Sequence, residues 1–334
     1  CKYSVDSLHR LDSVLDYAVS SLSVPEFRVF VRDLATVKDS LADHRMSAVV
    51  GALAKVASGY LPACVTKGYA SDRDRGEALA LLLELLDQKC IEIECVAEMC
   101  GTCISSCLLS LTSVLVRQAA LLLTQRCMSS PFARTQILSK LMLAVQQAKP
   151  VGPLFEQDKN RLVEYAQAIE ACLVDDEQKK IFGAQIDSFA ELVSSVNSQG
   201  DPSKWMLLKT LLAGVVNVDA SIDKLLQCGV FLRTLGRWTI DTNVDSDDAI
   251  ATYCRVVLLL AQRSREFVSG FVCREAMNSE KMTFLFLPEI CQQKGLFPVS
   301  LPLVDSFIEL VLSEPACATE FAQRLVEAVA ALRN

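Results

Sequence analysis

The chain has 334 residues, of which 51% are apolar and 7% aromatic, with 33 Lys and Arg against 40 Asp and Glu for a formal charge of −7. That balance excludes a strongly basic chain built for nucleic acid or anionic lipid, and the apolar half is enough to bury a large core. With only 13 Gly and 10 Pro, long helices and short connections are expected.

From the start of the chain, apolar residues recur every three to four positions. Leu8, Leu11, Leu15, Val19 and Leu22 share one helical face. Ser23 to Glu26 has capping-box spacing with Pro25 in the first turn. The predicted helices are 4–22, 25–38, 43–58, 60–69, 74–88, 91–106, 108–127, 132–148 and 156–174. They continue as 177–197, 202–217, 220–237, 246–262, 265–276, 280–294, 301–313 and 315–333. Gly68 to Arg75 reads as a charged turn, and Ile91 to Cys95 alternates too briefly for a strand. Ile104 to Leu123 is the most apolar stretch; interrupted by Arg117 and Gln118, it reads as a buried helix rather than a membrane span. Asp175, Asp176 and Glu177 mark a helix start, as do Asp201-Pro202 and Asp245 to Asp248. Phe189, Leu192, Val193 and Val196 form one face, and Leu208, Leu211, Leu212 and Val215 another. Ile250, Tyr253, Cys254, Val257, Leu258 and Ala261 form a third. Lys149 to Pro153 cannot continue a helix and is the clearest linker, with a second break at Gln199 to Pro202.

This many short amphipathic rods in a row predicts an all-α repeat array in which each rod is covered by its neighbours. Ile222 to Leu235 carries a short helix, a glycine at Gly229 and a second helix, followed by a longer helix from Ala249; Phe267 to Val272 starts a next copy around Gly270. Residues 222–275 therefore resemble an armadillo repeat, and the expected fold is an armadillo/HEAT-like α-solenoid of stacked helical hairpins and triplets. Peptide-binding members of that family carry an inner-groove asparagine ladder; here Asn217 and Asn243 stand alone. The expected organisation is an N-terminal helical-repeat lobe over 1–149 and a C-terminal armadillo-like lobe over 154–334, run together as one solenoid. Met46 to Val56 is similar to a helix that recurs in organellar RNA-binding repeat proteins, here in a single copy.

No pattern demands catalysis. The chain lacks a glycine-rich phosphate cradle, and it offers only two histidines as a catalytic base, His9 and His44, the latter between Asp43 and Arg45 where a solvated helix cap is expected. Asp241, Asp245, Asp247 and Asp248 lack the glycine and glutamate of a calcium loop. The 14 cysteines are spread along the chain in apolar helical settings such as Cys127, Cys172, Cys228 and Cys254. They read as reduced core thiols of an intracellular protein rather than as a secreted disulfide scaffold. Cys90, Cys95, Cys100 and Cys103 are the candidate metal ligands, with Cys107 continuing one face at i, i+3, i+7; core packing and a redox role are the alternatives. Residues 99–155 hold no acid and five cations, Arg117, Arg126, Arg134, Lys140 and Lys149, a candidate surface for an acidic partner or for RNA. Trp205 and Trp238 read as packing residues.

The expected function is thus a non-enzymatic scaffold or adaptor that binds a protein partner within a multisubunit complex. RNA association through the 104–149 basic stretch is the alternative. No cofactor, membrane span or small-molecule substrate is expected, and the expected setting is the cytoplasm or an organelle such as the mitochondrial matrix. The chain opens on Cys1 rather than Met and reads as a fragment or a processed form.

Overall fold

The computed structural model describes residues 43–57, 71–109, 112–147, 159–196, 202–238 and 247–267, with single helical positions before 34 and after 317. Among the described residues every regular element is helical and none is a strand. No described helix is long and apolar enough to cross a membrane. In chain order the helices are α1 (Asp43–Ala57), α2 (Asp72–Asp87), α3 (Ile93–Leu109), α4 (Val114–Cys127), α5 (Pro131–Gln147) and α6 (Lys159–Cys172). There follow α7 (Asp176–Ala184), α8 (Ile186–Ser195), α9 (Pro202–Val215), α10 (Asp219–Gln227), α11 (Gly229–Arg237), α12 (Asp247–Arg263) and the single turn α13 (Arg265–Phe267). The predicted helices 4–22, 25–38, 60–69, 280–294, 301–313 and 315–333 lie outside these segments, as does the 149–153 linker.

Local chemistry sets the boundaries. Ser71 caps α2 by accepting the Asp74 amide while the Asp74 carboxylate accepts the Ser71 amide, so the expected charged turn is in part the first turn of a helix. Ser113 caps α4. The apolar run Ile104 to Leu123 is therefore shared between two helices, and α4 begins later than the predicted 108. α2 ends with Lys89 in the left-handed region (φ 56°), where Cys90 N–H donates to Leu85 O and Lys89 N–H to Leu86 O. This is a Schellman ending with lysine where glycine is preferred.

The chain divides into two compact units, Cys1–Gln147 with Gln167–Gln178, and Ala148–Ala166 with Lys179–Asn334. In the first unit α1 packs on α2 and α3, α2 on α4, α3 on α4 and α5, and α4 on α5. Each helix thus finds its main partners one or two places along the chain, as expected of stacked helical hairpins. α1/α2 and α3/α4 are the closely packed consecutive pairs, and α3 and α5 run unbroken.

The second unit is built of triplets. α8 packs on α9, α10 and α11; α9 on α10 and α12; and α10 on α11 and α12. Where one helix was predicted over 220–237 there are two, divided at Cys228 and Gly229 as the armadillo resemblance implies. The single helix predicted over 177–197 is also two, divided at Gln185. Lys224 of α10 explains this second division, because its Nζ donates to Gly183 O (3.1 Å) and Ala184 O (3.3 Å) and so satisfies the last carbonyls of α7.

Several side-chain bonds between elements span similar separations, though others do not, such as Ser130 to Glu94 at 36 and Cys107 to Ala57 O at 50. Side-chain bonds between stacked elements recur at sequence separations of 41 (Asp72 to the Ser113 amide), 41 (Arg134 to Asp175) and 43 (Gln178 to Thr135) in the first unit. In the second they recur at 44 (Thr210 to Ala166 O), 41 (Lys224 to Gly183 O) and 40 (Arg263 to Asp223). An armadillo or HEAT repeat is about 40–47 residues long. Among the described residues the fold is all-α, with helices of each unit packed on near neighbours in the chain, the pattern of an α-helical repeat array.

Candidate functional site

Of the five predicted cations the structure describes four, each in a different setting. Arg117 is buried, and its Nη1 donates to Thr112 O at 2.6 Å. Arg126 is exposed at the end of α4 and lies 3.5 Å from Asp87 of α2. Arg134 is largely buried, with Nη2 on Asp175 Oδ2 at 2.8 Å. Lys140 is half-buried with its stem laid over Gly101, and Lys149 lies outside the described residues.

The cysteines separate by helix face. Cys100, Cys103 and Cys107 point into the core of the first unit. Cys90, in the turn before α3, and Cys95, beside Ser47 Oγ (3.6 Å) and Met99 Sδ (3.8 Å), are half-buried. Among the described residues no group of three or more His, Cys, Asp or Glu side chains gathers to hold a metal. The Cys103 thiol is pushed well up by its hydrogen bond with Cys100 and then by burial. Cys107 is pushed up to about 12 by burial, and its Sγ donates to Ala57 O at 3.1 Å. Burial likewise pushes Cys127 and Cys172 up to about 12. These groups are held as thiols at neutral pH. His44 lies in the first turn of α1, while His9, Asp241 and Asp245 lie outside the described residues.

Trp205 and Trp238 pack edge to face at 5.8 Å, with Tyr253 6.4 Å from Trp205 and the Lys204 ammonium 3.9 Å above the Trp205 ring. This cluster is buried and belongs to the core of the second unit.

The exposed feature that stands out is the seam between α2 and α4. Three contacts fix how these helices lie. Asp72 accepts the Ser113 amide at one end, a Cβ at Gly76 would lie 3.8 Å from Val116 Cγ2, and Asp87 meets Arg126 at the other end. Gly76, Ala80, Leu83 and Asp87 share one face of α2, and Leu115, Ala119, Leu122 and Arg126 one face of α4, joined at one end by the Asp87–Arg126 pair. Both rows follow i, i+4, i+7, i+11 and so stay on one helical face. Leu115 is 75% exposed and Leu122 53%; Ala80 is exposed, while Gly76, Leu83 and Ala119 are half-buried. Leu115 and Leu122 thus stand exposed two turns apart on α4, beside the buried Val116 and Leu123. Covering the two leucines would gain about 1–2 kcal/mol each.

Neither a family model nor a curated protein matches the sequence. Two solved structures are similar to it. A crystal structure of an engineered protein shares 15% identity over 98% of this chain and 92% of its own, with a TM-score of 0.38. A designed armadillo repeat protein shares 14% identity over 89% of this chain and 98% of its own, with a TM-score of 0.34.

Sequence reasoning passed over the seam residues. Their helical spacing is the same signal that marks a core face, and Leu115 and Leu122 sit inside the most apolar stretch of the chain. Only the position of α2, fixed by contacts 39 to 41 residues away in sequence such as Asp72 to Ser113, leaves that row facing out.

Proposed function

We propose that the chain is a non-enzymatic adaptor that holds a protein partner on the α2–α4 seam, as a subunit of a larger assembly. The observation that carries this reading is Leu115 and Leu122, exposed at i, i+7 on a helix whose other face is packed. Contiguous exposed apolar surface of this kind marks interaction sites. A protein rather than RNA is the partner we put forward. The cations that would track phosphate are turned inward at Arg117 or held by carboxylates at Arg126 and Arg134.

The test is affinity purification from the native cell with the wild-type chain and the Leu115→Glu/Leu122→Glu variant, each with and without nuclease. The expected result is a protein recovered by the wild type after nuclease, missing from the variant, and rebinding when both components are purified. An unchanged set of recovered proteins would remove the seam from consideration. Loss of the partner to nuclease alone would favour RNA tethering.

A further inference from the structure

We infer that α11, in the second unit, carries a separate docking site for a short acidic peptide segment. The segment presents carboxylates to Arg233 and Arg237 and an apolar side chain to the groove beside them. The site is independent of the α2–α4 seam.

Unbalanced charge is what marks it. Arg233 and Arg237 are exposed one turn apart on α11, about 6 Å along the axis, and among the described residues neither side chain has an ion pair or a hydrogen bond. Every other arginine whose side chain is described has a partner. Carboxylates meet Arg32, Arg73, Arg75, Arg126, Arg134 and Arg263, and Arg117, Arg161 and Arg255 are engaged as well. α11 has no carboxylate of its own, so two like charges at i, i+4 stand unrelieved on its surface. The helix dipole favours a cation at Arg237, in the last turn, but not at Arg233, in the middle of the helix. A pair of guanidinium forks in one row is suited to carboxylates.

Shape favours a peptide. Arg233 also lines a groove of about 720 Å3 formed by α10, α11 and the end of α12. Its apolar lining is Leu226, Leu232 and Phe267. Gly229 begins the row that continues at Arg233 and Arg237, and a Cβ there would meet nothing within 4 Å, so a ligand backbone can approach closely. The rest of the lining includes Asp223, which Arg263 binds at 2.8 Å, and Glu266. Those carboxylates hold an acidic ligand to the α11 side and so set its orientation. Two cations on one turn are too few to track a phosphate backbone, which favours a peptide over RNA.

The probe is a phage-displayed library of random peptides of about 12 residues, panned on the full chain after depletion on the Arg233→Ala/Arg237→Ala variant. Expected winners carry more than one Asp or Glu and a large apolar residue. They bind the double-alanine variant about tenfold more weakly, lose affinity as salt rises, and bind the Leu115→Glu/Leu122→Glu variant as they bind the wild type. On Arg233→Glu, exchanging an acidic residue of the peptide for Lys should restore binding, which a merely structural role for Arg233 would not produce. Winners that are basic or neutral, or that bind regardless of the two arginines, would overturn the inference, as would failure to enrich any. Displacement of the winners by a single-stranded RNA that the double-alanine variant does not bind would also overturn it and assign the arginines to nucleic acid.

Discussion

The glycines of the two units do different jobs. In the second unit a Cβ at Gly214 would run into the Phe182 ring, and one at Gly183 would overlap Ser221 Oγ. Both are close approaches between packed helices, where no side chain fits. In the first unit the Gly76 position would place a Cβ at ordinary contact distance from Val116, and Gly51 faces only the flexible end of Met99. The contrast is one of positions rather than of whole units, since Gly101 lies tight under the Lys140 stem and Gly229 meets nothing within 4 Å. The cores differ as well. The first unit is lined with thiols at Cys100, Cys103, Cys107, Cys127 and Cys172, and the second with rings at Phe182, Phe189, Trp205, Trp238 and Tyr253.

The largest effects should come from the crowded side of this comparison. Phe182→Ala removes a fully buried ring that packs on Phe189 at 5.0 Å and should cost about 3–5 kcal/mol in urea denaturation. Gly214→Ala should cost about 1–3 kcal/mol by overpacking, in spite of the better helix propensity of alanine. Adding Phe182→Leu to Gly214→Ala should recover part of that loss, and no recovery would contradict the ring contact as its cause.

The thiol-lined unit should respond to alkali. Unfolded cysteine titrates near 9.0, whereas folded Cys107, Cys127 and Cys172 are pushed up to about 12. Between these values the folded chain keeps protons that the unfolded chain has lost. Stability is therefore complete below about pH 9 and falls as pH rises toward 12. Denaturation midpoints measured from pH 7 to 10.5 should decline, and less steeply for Cys127→Ala. An identical decline in that variant would remove its thiol from the account.

The smallest effects lie on the open side. Gly76→Ala should raise stability by about 0.5–1 kcal/mol, because it replaces a helix-interior glycine without a clash. Leu115→Glu and Leu122→Glu should change stability by no more than about 0.5 kcal/mol each, as exposed substitutions do. Leu123→Glu, one residue from Leu122 but fully buried, should prevent folding. Thermal melts of the three variants check the assignment of faces on α4.

Much of the helix plan was legible because amphipathic spacing and caps are local. Asp176 opens α7 and Asp247 opens α12 where the acidic runs predict helix starts, and residues 222–237 divide at Gly229 as the armadillo resemblance implies. The division at Gln185 was not legible, since it depends on Lys224 reaching back from the next repeat. The basic stretch 99–155 was visible as composition, but composition does not reveal that Arg134 meets Asp175, or that Arg117 turns inward to Thr112. The seam escaped for a related reason. Whether Leu115 is core or surface is decided by where α2 lies, and no pattern within α4 records it.

Hydrogen–deuterium exchange of the chain, free and in complex with its reconstituted protein partner, tests the seam most directly. New protection confined to 72–87 and 113–127 is the result this structure predicts. Protection that spares both segments and appears only beyond residue 179 would contradict it.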